Sequence, residues 1–162
     1  YNFIKKTKYT VDDWTDWDGM KTVFNVDTHR FILELENLWT GWLMGERIDI
    51  PLVDAAIPAV MRELALNHDV YINTAHKESL HPIMKWLDVK LSQDLVPYKA
   101  IIVVSHTVDK MSLPFDVWID DAPKLDGLHH RLFLLDWPYN RCVKTARRFY
   151  TFTEIPELIK AL

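Results

Sequence analysis

Three acids, two hydroxyls and one lysine carry the chemistry this sequence can offer. Asp27 follows the apolar run Thr22–Val26, Thr74 follows Val70–Asn73, and Ser105 follows Ala100–Val104. The adjacent pair Asp120–Asp121 follows Asp116–Ile119, with Lys110 a few residues upstream. Hard carboxylate oxygens hold Mg²⁺, and a cation neutralises charge on a moving phosphoryl group, so such a gathering suits magnesium-dependent phosphoryl transfer. Two neighbouring acids at the end of an apolar run repel each other unless a cation sits between them. The competing reading is a solvated turn in which one Asp caps the next stretch of backbone.

These residues come together only if the elements before them run the same way. The runs Thr22–Val26, Val70–Asn73, Ala100–Val104, Asp116–Ile119 and Arg131–Leu135 are short and rich in Val, Ile, Leu or aromatics. Runs of this kind are typical of parallel strands buried on both faces. Between them, Pro51–His68 places Ile57, Val60, Met61, Leu64 and Ala65 at helical spacing, with Pro58 marking a kink or the first turn. Lys77–Leu87 repeats the pattern, opening near Glu78 or Ser79, and Ile155–Leu162 reads as a closing helix with Thr153 as N-cap and Pro156 in its first turn. Strands alternating with helices predict an α/β fold, a three-layer Rossmann-like domain with a mainly parallel sheet. Parallel strands would bring their following polar residues out at one edge. The stretch Glu36–Asp49, with Trp39, Trp42, Met44, Gly41 and Gly45, reads either as a small cap over that edge or as an irregular helix using its tryptophans as core.

Composition bounds the rest. The chain has 162 residues, 49% hydrophobic and 26% charged, which suits one domain over 1–162 with residues 1–20 as an N-terminal extension and 36–50 as the short cap insertion. A formal net charge of −4 argues against holding nucleic acid by a basic field. No apolar run approaches the roughly 18 residues that span a bilayer, and YNFIKKTKYT carries no signal-peptide core, so the expectation is an intracellular, cytoplasmic protein without membrane contact, a phage- or virus-encoded origin being compatible. Cys142 is the only cysteine, which leaves no intrachain disulfide and no thiolate zinc site.

From Asp69 to Pro156 the chain resembles the haloacid dehalogenase superfamily, more narrowly its 5′(3′)-deoxyribonucleotidase branch. VYINTAHKESLHPIMKWL is similar to the second motif of that family, in which Thr74 would bond the phosphate. DKMSLPFDVWIDDAP is similar to motifs three and four together, with Lys110 as the phosphate-balancing lysine and Asp120 and Asp121 as metal-binding acids. RLFLLDWPYNR resembles the next strand and its loop, with Pro138, Tyr139 and Asn140 in place. The first motif departs from the pattern. The family carries Asp-x-Asp, whose first acid attacks phosphorus and whose second moves the proton. VFNVDTHRFILEL offers one acid there. In one register Asn25 takes the nucleophile's place and Asp27 the acid/base place; in the other Asp27 is the nucleophile and His29 replaces the acid/base, which aligns Phe31, Ile32 and Glu34 better with the family's apolar pair and acid. An amide at the nucleophile's place would end turnover, whereas His29, with an ordinary pKa of about 6.5, could still donate a proton. A third reading makes Asn25 a replacement for an original Asp.

The resemblance implies a Mg²⁺-dependent phosphohydrolase acting on nucleoside monophosphates or other small phosphate esters, more readily deoxy, with the metal on Asp27, Asp120 and Asp121. The missing acid implies impaired turnover and keeps open an inactive nucleotide-binding or protein-interaction module. Its oligomeric state is open. His129–His130 read as loop residues, and His76 is a candidate phosphate or base contact set against a surface histidine. Arg141, Lys144, Arg147 and Arg148 form the one basic concentration, read foremost as a solvated face. Trp14 and Trp17 lie in an acidic arm that a partner could contact.

Overall fold

The computed structural model describes residues 11–13, 15, 27–45, 50–75, 80–92, 96–144 and 146–162. The expected strand Thr22–Val26, and with it Asn25, lies outside these residues, as do His76, Glu78, Ser79, Trp14, Trp17 and positions 46–49.

Four helices are present among the described residues: α1 (Thr28–Leu43), α2 (Ile57–Leu64), α3 (Leu80–Leu87), continued by a π-helical turn at Asp88–Ser92, and α4 (Ile155–Lys160). Five short strands accompany them: β1 (Ile72–Thr74), β2 (Ile101–Val103), β3 (Trp118–Asp120), β4 (Leu132–Leu135) and β5 (Arg147–Phe149). Every pairing is parallel. β1 pairs with β2, and β3, β4 and β5 form a second ladder in that order, with Asp120 opposite Leu134 and Leu134 opposite Arg148. Helices alternating with parallel strands make the α/β, Rossmann-like arrangement expected from the sequence.

β4 explains why its sequence is apolar without alternation. Leu132 and Leu134 face Trp118, Ala122, Leu125 and Val143, while Phe133 and Leu135 face Val60, Leu64, Phe149 and Ile155. Successive side chains point to opposite faces of a strand, so a strand covered on both sides needs apolar residues throughout. Helices α2 and α4 cover one face. The other is covered by 3-10 turns and loops, including Pro123–Leu125. A third cluster of Leu87, Leu91 and Val96 packs with Ile72, Ile101, Ile83 and Trp86 around β1 and β2.

The helix boundaries are set by their caps. Pro58 stands in the first turn of α2, where a missing N–H costs nothing. At the C-terminus the cap differs from expectation. Thr151 opens the 3-10 turn Phe152–Glu154, Glu154 Oε1 accepts from Thr151 N at 2.8 Å, and Thr153 only meets Thr151 through their hydroxyls; Glu154 then occupies the N-cap position of α4, with Pro156 in its first turn as expected. Residues 36–43, half of the expected cap segment, are the second half of α1. Trp39 is half-buried edge-on against Trp86 at 5.8 Å, and Gly45 at φ 79° ends the helix in the left-handed region. The 3-10 turn Val11–Asp13 of the N-terminal extension packs on the Pro138–Asn140 turn.

Candidate active site

Lys110 and Asp120 are the centre of the site. Lys110 Nζ lies 2.6 Å from Asp120 Oδ2, and both side chains are close to nine-tenths buried. Two features aim the lysine. The 3-10 helix Thr107–Ser112 is tied at its start by His106 N donating to Asp109 Oδ2 at 2.9 Å, and Trp118 on β3 donates from Nε1 to Lys110 O at 3.1 Å. That helix also packs against β1, so it joins the ladder ending in Thr74 to the ladder ending in Asp120. Thr74 is half-buried as the last residue of β1, and its carbonyl accepts from Val104 N at 2.9 Å.

Asp120 and Asp121 are neighbours with different partners. Asp120 Oδ1 accepts from the backbone N–H groups of Asp121 and Ala122, each at 2.9 Å, which turns its carboxylate back over the end of β3. Asp121 Oδ2 accepts a hydrogen bond from the Tyr139 hydroxyl. Burial pushes the Asp121 carboxyl above its ordinary value, and the charge of Asp120 adds to this, while the Tyr139 bond and Lys110 pull it back. Burial likewise pushes the Tyr139 phenol far up, with Asp121 as the next cause. Among the described residues one ammonium thus faces two largely buried carboxylates, a donor set of hard oxygens. Mg²⁺ is commonly held by one or two carboxylates together with water and substrate phosphate, so the pair fits such an ion in its chemistry.

Asp27 has a different setting. It is exposed, and it caps α1, its Oδ1 accepting from His29 N at 2.9 Å and Arg30 N at 3.3 Å. His29 is exposed in the first turn of the same helix. Among the described residues no three His, Cys, Asp or Glu side chains form a group that could hold a metal, so Asp27 does not join Asp120 and Asp121 here as a ready-made set.

The sequence marks Tyr139 and Asn140 only as part of a family-like loop and Arg148 only as one of a basic run, without the network they form behind the acids. Asn140 is fully buried, and its Nδ2 donates to Asp121 O at 3.0 Å and Leu135 O at 2.7 Å. Arg148 is no solvated charge: it sits in β5 and donates to Asp136 Oδ1 at 3.0 Å, Asn140 Oδ1 at 2.7 Å, Asn140 O at 2.5 Å and Val143 O at 2.9 Å. Arg141 pairs with Asp136 at 3.0 Å from an exposed position, and Arg147 lies over the Phe133 ring at 5.7 Å. Lys144 alone of the expected basic run is simply exposed. The signal that could have found this network is the polar pair Asp136 and Asn140 directly after the most apolar strand. His129 and His130 lie in the turn before β4 with their rings stacked at 4.6 Å, as loop residues.

No helix among the described residues is long and apolar enough to cross a membrane. No curated protein and no solved structure matches the chain. Residues 50–162 do match a protein family, described as 5′ nucleotidase, deoxy (pyrimidine), cytosolic type C protein.

Proposed function

We propose, from the premise that this chain belongs to the 5′ nucleotidase, deoxy (pyrimidine), cytosolic type C family, that its Lys110–Asp120–Asp121 cluster is a phosphate- and metal-binding site for nucleoside monophosphates. Membership makes it a 5′-nucleotidase-like protein of the haloacid dehalogenase superfamily. The observation that carries the site reading is the buried Lys110–Asp120 pair beside an Asp121 whose carboxyl burial has raised. Asp120 and Asp121 would hold Mg²⁺, with Asp27 as the third acid carried over from the resemblance. When bound, the ion supplies neutralisation of the phosphoryl oxygens. Lys110 balances charge on the same group, and the Thr74 hydroxyl donates to a phosphate oxygen. Asp27 attacks phosphorus if it holds the nucleophile's place, and His29 then gives a proton to the leaving sugar oxygen.

The test is phosphate release from a panel of ribo- and deoxyribonucleoside monophosphates with Mg²⁺. Release abolished by Asp27→Ala supports Asp27 and His29 as the catalytic pair. No release from the parent chain, but release from Asn25→Asp, supports Asn25 as a lost nucleophile in a preserved site. A second reading, a binding module without turnover, is favoured by the cap on α1, where Asp27 Oδ1 is engaged by two backbone N–H groups. Silence from all three chains, with nucleotide binding retained, supports that reading.

A further inference from the structure

We propose that Arg148 is a positioning residue for the acid pair, acting on Asp121 through Asn140 and Tyr139; the consequence for metal binding rests on the function proposed above. The Arg148 guanidinium grips the Pro138–Asn140 turn twice, at the side-chain oxygen and at the carbonyl oxygen of Asn140. It therefore fixes both the backbone and the amide plane of that residue. The Nη1 that donates to the Asn140 side chain also donates to Asp136 Oδ1, and the Asp136 side chain is itself only 9% exposed. The post is rigid because β5 sets it: Arg148 lies opposite Leu134 in the ladder, and Asp136 N closes onto Phe149 O at 2.8 Å.

The far side of the turn points at the acids. With its plane fixed, Asn140 presents Nδ2 to Asp121 O and Leu135 O, tying the residue after β3 to the end of β4. Tyr139, one residue earlier and 6% exposed, lies with its ring parallel to Trp137 at 6.2 Å and its hydroxyl on Asp121 Oδ2. Arg148 thus reaches Asp121 along two routes, one ending on its carbonyl and one on its carboxylate. A lysine cannot reproduce this, since a single ammonium lacks the planar fork that spans two oxygens of one residue. Groups that orient the ligands of a metal typically change its affinity 10–100-fold when removed.

Two readouts test the proposal: Mn²⁺ affinity by electron paramagnetic resonance titration, and the Tyr139 hydroxyl proton in the downfield NMR spectrum. Arg148→Lys is compared with the parent chain, and Tyr139→Phe assigns the resonance. Arg148→Lys is expected to lose that resonance and to bind Mn²⁺ about 10–100-fold more weakly while unfolding as cooperatively as the parent. A retained resonance overturns the proposal whatever the affinity does, and so does an unchanged affinity in a parent that binds Mn²⁺. Should Arg148→Lys not fold, Asp136→Asn loosens the same fork and is read the same way. A parent chain that binds no Mn²⁺ sinks the metal site of the proposed function, and the resonance alone then decides the positioning role, its loss supporting it.

Discussion

Asn140→Ala should be among the most destabilising single changes in this chain, and the structure says why. The side chain is 0% exposed and all its hydrogen-bonding positions are engaged. Nδ2 donates to Asp121 O and Leu135 O, and Oδ1 accepts from Trp137 N at 3.2 Å and from Arg148. Truncation leaves those partners without it in a place water does not reach. Three bonds to neutral groups at about 1 kcal/mol each, and one to a guanidinium at about 2 kcal/mol, give a loss of about 5 kcal/mol. That is comparable to the whole stability of a domain, about 5–15 kcal/mol. With a urea slope of about 2 kcal/mol/M, the unfolding midpoint should fall by about 2.5 M. Asn140→Asp keeps the acceptor that Trp137 and Arg148 use but points an oxygen at two carbonyls, so about half the loss is expected, about 2–3 kcal/mol. A midpoint lowered by less than about 0.5 M in Asn140→Ala would refute the reasoning, because the buried amide would then be replaceable by space or solvent.

Lys110→Met leaves Asp120 buried without its cation and is expected to cost about 3 kcal/mol by chemical unfolding, part of it restored by millimolar Mg²⁺; no restoration would count against a metal at these acids. Asp121→Asn should raise the melting temperature of the metal-free chain at neutral pH, since burial raises the Asp121 carboxyl and its ionised form is the costly one; an equal or lower melting temperature contradicts this. Burial, with the charges of His130 and Arg131, lowers His129, whose ring also packs on Trp118, so the unfolded chain takes up its proton first and stability should decline as pH falls through about 6.5. His129→Gln should flatten that part of the melting temperature profile, and an unchanged slope would assign it to another group. Phe133→Ala, at the centre of β4, should cost about 3–5 kcal/mol in the same unfolding assay.

The elements that were legible in the sequence are those whose residues are apolar for a local reason. β4 reads plainly because both its faces are covered, and α2 because Val60, Leu64 and their neighbours form one stripe. β5 was hidden because its Arg147 and Arg148 carry charges whose partners lie elsewhere in the chain: the Phe133 ring for one, Asp136 and Asn140 for the other. A local pattern cannot show that a guanidinium will be consumed by oxygens brought in by another strand. The Thr151–Glu154 box is written in the sequence as Thr-x-x-Glu, two residues ahead of the Thr153 cap that the spacing to Pro156 suggests. At the site, the Lys110 and Asp120 pairing is legible from a lysine and a strand a few residues apart. The bond from Tyr139 to Asp121 spans 18 residues and depends on the turn that Arg148 holds.

The acid pair and Asp27 are held by different parts of the chain. Lys110, Asp120 and Asp121 gather at the end of β3, whose neighbours Leu125, Leu132 and Phe133 are each at most 1% exposed. Asp27 is exposed and answers to its own helix, through the N–H groups of His29 and Arg30. Among the described residues, the hydrogen bonds that hold the acid pair from outside come from Lys110, Ala122, Tyr139 and Asn140. On the function proposed above, His29→Ala is therefore expected to lower turnover and to leave these bonds in place. On the same proposal, a cation bound at these carboxylates would stabilise the chain by mass action, since it would bind the folded state and not the unfolded one. On that proposal binding and turnover rest on different residues, so the two can be assayed apart.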